Sequence, residues 1–481
     1  MTPRRPEPAP RAGRATDRVR EYLEQHPSVR RALALGLVND AALARRIRTE
    51  LGDQLSFEAV AVALRRAERG IPAQDSSAGA VALLAGGITL ELRTGYSILR
   101  VPDDDLVLPT LLAGPLGRGP RGRPERTVLH VEEGTPYISV ALPTEGLARV
   151  VRALPRGVHR TATEGLSLVV LGTQEPASGT PGVIAFLSDL LGEHNLVPRL
   201  LAAAGDRVEF LAPAADARRI FDLLHGLRRS PPPSGPPEPA EKDSSAVGLR
   251  PRRRGRVTEG ADPRTGAEIA RQYVAGHPSI ADCLGYGVVN VTALARRIGD
   301  EVGFEHPEAI EAALRRWKPD RGPTSSVEGR VLAVVRDSRI EVRTRVALVT
   351  APPNWELLAR LVEDGPAPAA NRRRLFQVLQ SPTAVTVLCE EDLVDPVLRA
   401  LGSRHTIVAE RGLAAIAVHS PEAILETPGV LAFLSGALYR AGLNCLELMS
   451  LHLESTFVVR QTDALATFRV LSDLIHPPDA P

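Results

Sequence analysis

The sequence predicts an α+β fold in which one unit is written twice, each copy a small helical module followed by tandem βαββαβ, ferredoxin-like domains. Three observations carry this expectation. HPSVRRALALGLVNDAALARRI at 26–47 returns as HPSIADCLGYGVVNVTALARRI at 277–298. ALRR at 63–66 recurs at 313–316, and TPGV, one residue, then AFLS runs at 180–188 and again at 427–435. Self-similarity at a nearly constant offset settles organisation before any local propensity does. Beyond each helical stretch the apolar period changes, from three-to-four-residue spacing to short runs rich in Val, Ile, Leu and Thr.

The 481 residues exceed a single core, and 43% hydrophobic with 24% charged residues is ordinary for a soluble protein. No apolar run approaches the roughly eighteen residues needed to cross a bilayer, and MTPRRPEPAPRAGR has no apolar centre of a secretory signal, so the expected place is cytoplasmic with no membrane partner. Cys283, Cys389 and Cys445 stand far apart without a Cys-x-x-Cys or a His cluster, which predicts buried small residues and no metal site. Lys242 and Lys318 are the only lysines, one in a Pro-rich stretch and one before Pro319. Neither is placed to cradle a phosphate or form a Schiff base, and no phosphate-binding Gly-x-x-x-x-Gly-Lys loop exists.

In chain order, residues 1–15 read as a disordered tail and 16–70 as the first helical module. Residues 78–227 form the first tandem region, with the flexible insertion GPLGRGPRGRPER at 114–126. Proline, serine and charge make 228–264 a linker, whose RPRRRGR at 250–256 is a basic tract. The second helical module covers 265–320 and the second tandem region 326–476. Leu294, Ile298 and Val302, then Ala309, Ala313 and Trp317, keep helical spacing, with Pro278 and Pro307 at first turns and Asn290 at a cap or turn. The stretches 330–352, 374–393, 405–421 and 443–460 read as strands. PNWELLARLVED, EDLVDPVLRALG, PGVLAFLSGALYRAG and DALATFRVLSDLI between and after them read as helices. That order is β, α, β, β, α, β, given twice per copy, with two helices on one face of each antiparallel sheet.

Pro428-Gly429-Val430 after a strand, Ala441-Gly442-Leu443-Asn444 before the next, Ser455 to Arg460 as a third and Asp463 opening the last helix together resemble an ACT domain. The likeness is to the paired ACT domains that regulate aspartokinases, without their kinase domain, and extends back to about Ser326; the first copy carries a weaker version from Ala78 to Leu227. The resemblance implies a small-molecule ligand, an amino acid, held between domains that pair edge to edge, and hence a homodimer through these domains. Gly429 permits a tight turn that leaves helix N-terminal amides uncovered for a carboxylate. The implied ligand residues are therefore Pro428, Gly429, Val430, Asn444 and Glu447, with His419 and His452 nearby. In the first copy Asn444 is replaced by Val197, Cys445 by Pro198 and Glu447 by Leu200, so the second copy is the expected working site. Pro198 removes a ladder donor, which requires its strand to be short, bulged or at an edge.

TALARRIG from Thr292 followed by PEAIEAALRRW resembles a helix-turn-helix. In that reading Arg296, Arg297, Arg315 and Arg316, with Arg45, Arg46, Arg65 and Arg66 in the first copy, meet nucleic acid. The alternative is a solvated arginine face on a docking element, and the net charge of +2 is low for a nucleic-acid protein. His26 and His277, both before Pro-Ser, read as neighbours of helix caps. No nucleophile, base and orienter assemble from spacing, so the expectation is that the chain is not an enzyme and needs no cofactor. It is instead a sensor of an amino acid acting as a transcriptional regulator on DNA, or alternatively an accessory regulatory subunit of an amino-acid biosynthetic enzyme.

Overall fold

The computed structural model describes residues 11–51, 55–70, 78–85, 87–102, 129–133, 137–177, 180–227, 265–318, 326–352, 375–380, 384–401 and 408–477. The chain forms two units, 1–73 with 229–323 and 74–228 with 324–481, so each unit draws on both copies.

The first unit is helical. From the first copy come Arg11–Gln25, Pro27–Ala34, Asp40–Leu51 and Phe57–Gly70, the first of which begins inside the stretch read as a tail. From the second come Gly266–Gly276, Pro278–Gly285, Val291–Val302 and Pro307–Arg316. Thr265 and Glu268 form a capping box, the Asn290 side chain accepts from the Ala293 amide, and Gly303 ends its helix at φ 70°. Leu43 and Ile47 share one core with Leu294, Ile298 and Ile310. The copies are joined by an antiparallel bridge at Val38 and Val289, where the Asn39 amide donates to Val288 O at 2.7 Å and the Asn290 amide to Leu37 O at 2.7 Å.

The second unit is a closed cycle of antiparallel strands. The first copy gives β1 Ile88–Pro102, β2 Leu129–Glu133, β3 Tyr137–Pro143, β4 Thr161–Thr173, β5 Leu200–Ala204 and β6 Arg207–Pro213. The second gives β7 Arg339–Ala351, β8 Phe376–Gln380, β9 Val385–Glu390, β10 Val408–His419, β11 Glu447–Leu451 and β12 Glu454–Arg460. Pairing runs β1-β3-β2-β8-β9-β7-β10-β12-β11-β5-β6-β4 and back to β1. The copies therefore meet at two seams, β2 with β8 and β5 with β11.

Four long strands make the closure. The first half of β1 pairs with the second half of β4, and its second half pairs with β3 and with Thr161 to Thr163. β7 and β10 repeat this exchange. At the crossing stand Gly95, Gly165 and Gly412, with φ 80°, 75° and 73°, and Arg345 with φ 58°. Positive φ suits glycine and strains arginine. The cycle is thus flattened into two facing sheets. Between them lie Tyr96, Ile98, Leu168, Leu211, Leu348, Leu388, Met449 and Val458. Val183–Glu193, Ala214–Leu227, Val430–Arg440 and Ala464–Ile475 cover one outer face, and Thr144–Ala153 and Val394–Leu401 the other.

Two expectations change here. The stretch 330–352 is not all strand, because Ser326 caps a helix, Val327–Arg336, whose Val331, Val334 and Val335 are buried at helical spacing. The described residues also hold six strands per copy instead of two full βαββαβ sets, since each crossing strand serves both sheets. PNWELLARLVED, the 114–126 insertion and the 228–264 linker lie outside the described residues.

Candidate functional site: a cleft where the two copies meet

β5 and β11 pair as Leu200 with Leu451, Leu201 with Ser450, Ala202 with Met449 and Ala203 with Leu448. Antiparallel pairing places the residues that lead into β5 beside the hairpin that ends β11: the His452 amide donates to Arg199 O at 3.0 Å. On the outer face of this seam the Val183–Glu193 helix packs against Val430–Arg440, and a Cβ built on Gly192 would lie 3.1 Å from the Gly429 Cα.

Above the seam is a cleft of about 50 Å³. One wall is Thr427 to Ala432 of the second copy; the other is Leu196, Val197, Pro198 and Arg199 of the first, with Ser188, Leu191 and Gly192, and Ser450 and His452 close it. Gly429, at φ 92°, stands before the Val430–Arg440 helix, which has no side-chain cap; the first bond inside it is from the Phe433 amide to Gly429 O at 2.9 Å. The preceding amides lack intrahelical acceptors and form an anion-favouring end. Ser188 is 4% exposed, and its Oγ finds no hydrogen-bond partner among the described residues. His452 Nδ1 is likewise buried without one. Burial, then Arg100 and Arg199, push the His452 imidazole down to about 4, so it is neutral at pH 7. The Arg199 guanidinium is oriented by its Nη1 donating to Leu425 O at 2.6 Å. Among the described lining residues none is Asp or Glu.

Of the residues expected from the sequence, Pro428, Gly429 and Val430 line this cleft. Asn444 and Glu447 do not. The seam brings the first copy's approach to β5 against the second copy's turn, so Val197 stands where Asn444 was expected. Glu447 alternates with Met449 and Leu451 toward the space between the sheets, 6% exposed, with Oε2 lacking a partner among the described residues. Burial, then Glu410, raises its carboxyl to about 8. His419 instead pairs with Glu454 at 3.2 Å. Ser188, Gly192 and Arg199 were missed; contrast between the copies was the available signal, since Gly192 aligns with Tyr439 and Arg199 with Leu446.

The nucleic-acid candidates all lie in the helical unit. Arg46 is committed to its packing: its Nε donates to Tyr22 Oη at 3.1 Å, it pairs with Glu50 at 2.6 Å, and its guanidinium lies 4.0 Å from the Tyr286 ring centre. Arg45, Arg65, Arg66, Arg296, Arg297, Arg315 and Arg316 are exposed, and Arg315 pairs with Glu311 at 2.6 Å. His277 stacks on Tyr273, and the His26 ring lies tilted against Tyr22 at 4.0 Å between centres. Among the described residues no cluster of His, Cys, Asp and Glu could hold a metal, and no helix is long and apolar enough to cross a membrane.

No sequence-family model matches the chain, and no curated protein sequence does. Among solved structures, the aspartate kinase from Synechocystis aligns with TM-score 0.27 and 11% identity over 82% of this chain and 56% of that one. The regulatory subunit of aspartate kinase from Thermus thermophilus aligns with TM-score 0.24 and 14% identity, covering 28% of this chain and 97% of that one. Aspartokinase III from E. coli, solved with lysine and aspartate, aligns with TM-score 0.22 and 19% identity, covering 29% and 32%. This chain thus spans 56% of the first of these proteins. The neighbours are aspartokinases and a regulatory subunit, and because the kinases are enzymes they overturn the expectation that this chain is not one. At these scores the likeness is coarse and assigns it no chemistry.

Proposed function

We propose that this chain is a regulatory protein that senses an amino acid in the cleft between its two copies. The observation that carries this is the meeting of an uncapped helix N-terminus with the buried, unpartnered Ser188 Oγ in one small cavity. The helix end offers amides to a carboxylate, while Ser188 and neutral His452 offer acceptors to an ammonium group. The string from Pro428 to Asp463 supports the same reading through its resemblance to ACT domains. A thermal-shift screen of the twenty amino acids against the full chain tests it. A specific ligand raises Tm by mass action; no shift at millimolar concentration overturns the proposal.

The helical unit is the candidate output element. Arg46, held by Tyr22, Glu50 and Tyr286, is withdrawn from any DNA face, while the seven exposed arginines suit either DNA or docking to a partner enzyme. A gel shift with random duplex over a salt series decides between them, because phosphate contacts make affinity fall steeply with salt. Salt-sensitive binding selects the DNA reading.

A further inference from the structure

We infer that the chain carries one ligand site, not a symmetric pair, and that the site takes a carboxylate with an apolar body. The inference rests on the sensing proposal above and deepens it.

Two copies meeting at an antiparallel seam could build the cleft twice, once from each turn. Aligned on the shared Thr-Pro-Gly-Val, the second position joins the Thr180 turn to the residues before β11. The uncapped helix end is retained there, after Gly182 at φ 85°, but the polar side chains of the cleft are lost or used. Arg199 corresponds to Leu446, and His452 to Gly205. Ser188 corresponds to Ser435, whose Oγ donates to Leu431 O at 2.7 Å. Gly192, where a Cβ would crowd the Gly429 backbone at 3.1 Å, corresponds to Tyr439. Only one position keeps a guanidinium, an imidazole and an unsatisfied hydroxyl around a helix N-terminus.

The same groups define the ligand. A helix end and Arg199 both favour negative charge. With no Asp or Glu among the described lining residues, a cationic side chain finds no counter-charge, so lysine and arginine are excluded. Leu191, Leu196, Leu201 and Leu431 supply an apolar wall. A branched aliphatic amino acid fits, as does the 2-oxo acid of the same skeleton. His452 Nδ1 distinguishes the two, since a bound ammonium uses its lone pair and a keto group does not, whereas the Ser188 hydroxyl can accept from an ammonium or donate to a keto oxygen.

The test is calorimetric titration of the full chain with valine, leucine, lysine and the 2-oxo acid corresponding to valine. One equivalent of the branched amino acid per chain is expected, with no heat from lysine. Tighter binding of the 2-oxo acid keeps the carboxylate class and assigns the keto form as ligand. Two equivalents, or binding of lysine, overturn this inference but leave sensing intact; silence from all four, with no thermal shift from any amino acid, overturns sensing itself. Arg199→Leu installs the counterpart residue and should weaken binding at least tenfold. If that variant fails to fold, His452→Gly serves in its place: it should weaken binding while leaving the unliganded chain folded, and unchanged affinity contradicts the assignment.

Discussion

His452 occupies, at φ 62°, the left-handed hairpin position that Gly205 holds at φ 57° in the other copy. A branched-Cβ-free but bulky side chain in this region is strained by about 1–2 kcal/mol relative to glycine. Strain of this kind, beside a cavity, points to a retained side chain with a task.

Replacing His452 by Gly should therefore stabilise the ligand-free protein by up to about 1 kcal/mol once the entropy of glycine is subtracted. Urea denaturation reads this directly. A destabilised variant would show that the imidazole contributes packing that outweighs its backbone strain.

Arg345 offers an internal comparison. It sits at the strand crossing where Gly95, Gly165 and Gly412 stand in the other three crossing strands. Its ion pair with Glu391, at 3.8 Å and with the Arg345 side chain 75% exposed, adds little. Arg345→Gly should gain up to about 1 kcal/mol with ligand binding unchanged; a loss of stability would place the side chain in a contact that strain relief does not offset.

Gly192→Ala tests the close approach of the two helices. The new methyl would meet the Gly429 backbone at 3.1 Å. Overpacking of this kind costs about 1–3 kcal/mol. The expected result is a lower denaturation midpoint together with loss of any ligand-induced Tm shift, whereas a neutral substitution would mean the helices part freely.

Glu447 gives a pH signature. Its carboxyl is raised to about 8 from an ordinary 4.5 by burial and then by Glu410, so between those values the folded state holds a proton that the unfolded state has released. Stability from this group falls as pH rises through that window. Glu447→Gln should match the parent near pH 4.5 and exceed it at pH 8; parallel stability curves would contradict the burial of an unpaired carboxylate. His452 acts at the other end. Lowered to about 4, it takes stability away as pH falls from 6.5 toward 4, because the unfolded chain protonates first.

The duplication and the Thr-Pro-Gly-Val turn were legible in the sequence because both are written as repeated strings. The seam was not. Periodicity tells that Leu200 and Leu448 belong to strands, but which strands pair is a long-range choice, and it is this pairing of β5 with β11 that replaces Asn444 by Val197 and Arg199 at the cleft. The Val327–Arg336 helix hid in a strand-like stretch because VLAVV is rich in β-branched residues; the Ser326 cap decides it. The crossing at Gly95 and Gly165 was equally hidden, since a bulge shifts register without changing composition.

The central claim is that ligand binds in the cleft beside His452. NMR titration of the imidazole measures it most directly, with the His452→Gly variant assigning its resonance among the 11 histidines. In the free protein His452 should titrate near 4, and saturation with the amino acid that raises Tm should move its resonance and lower its pKa further, because the ligand ammonium donates to the imidazole lone pair. A ligand that raises Tm yet leaves the His452 resonance and its titration untouched would contradict the account.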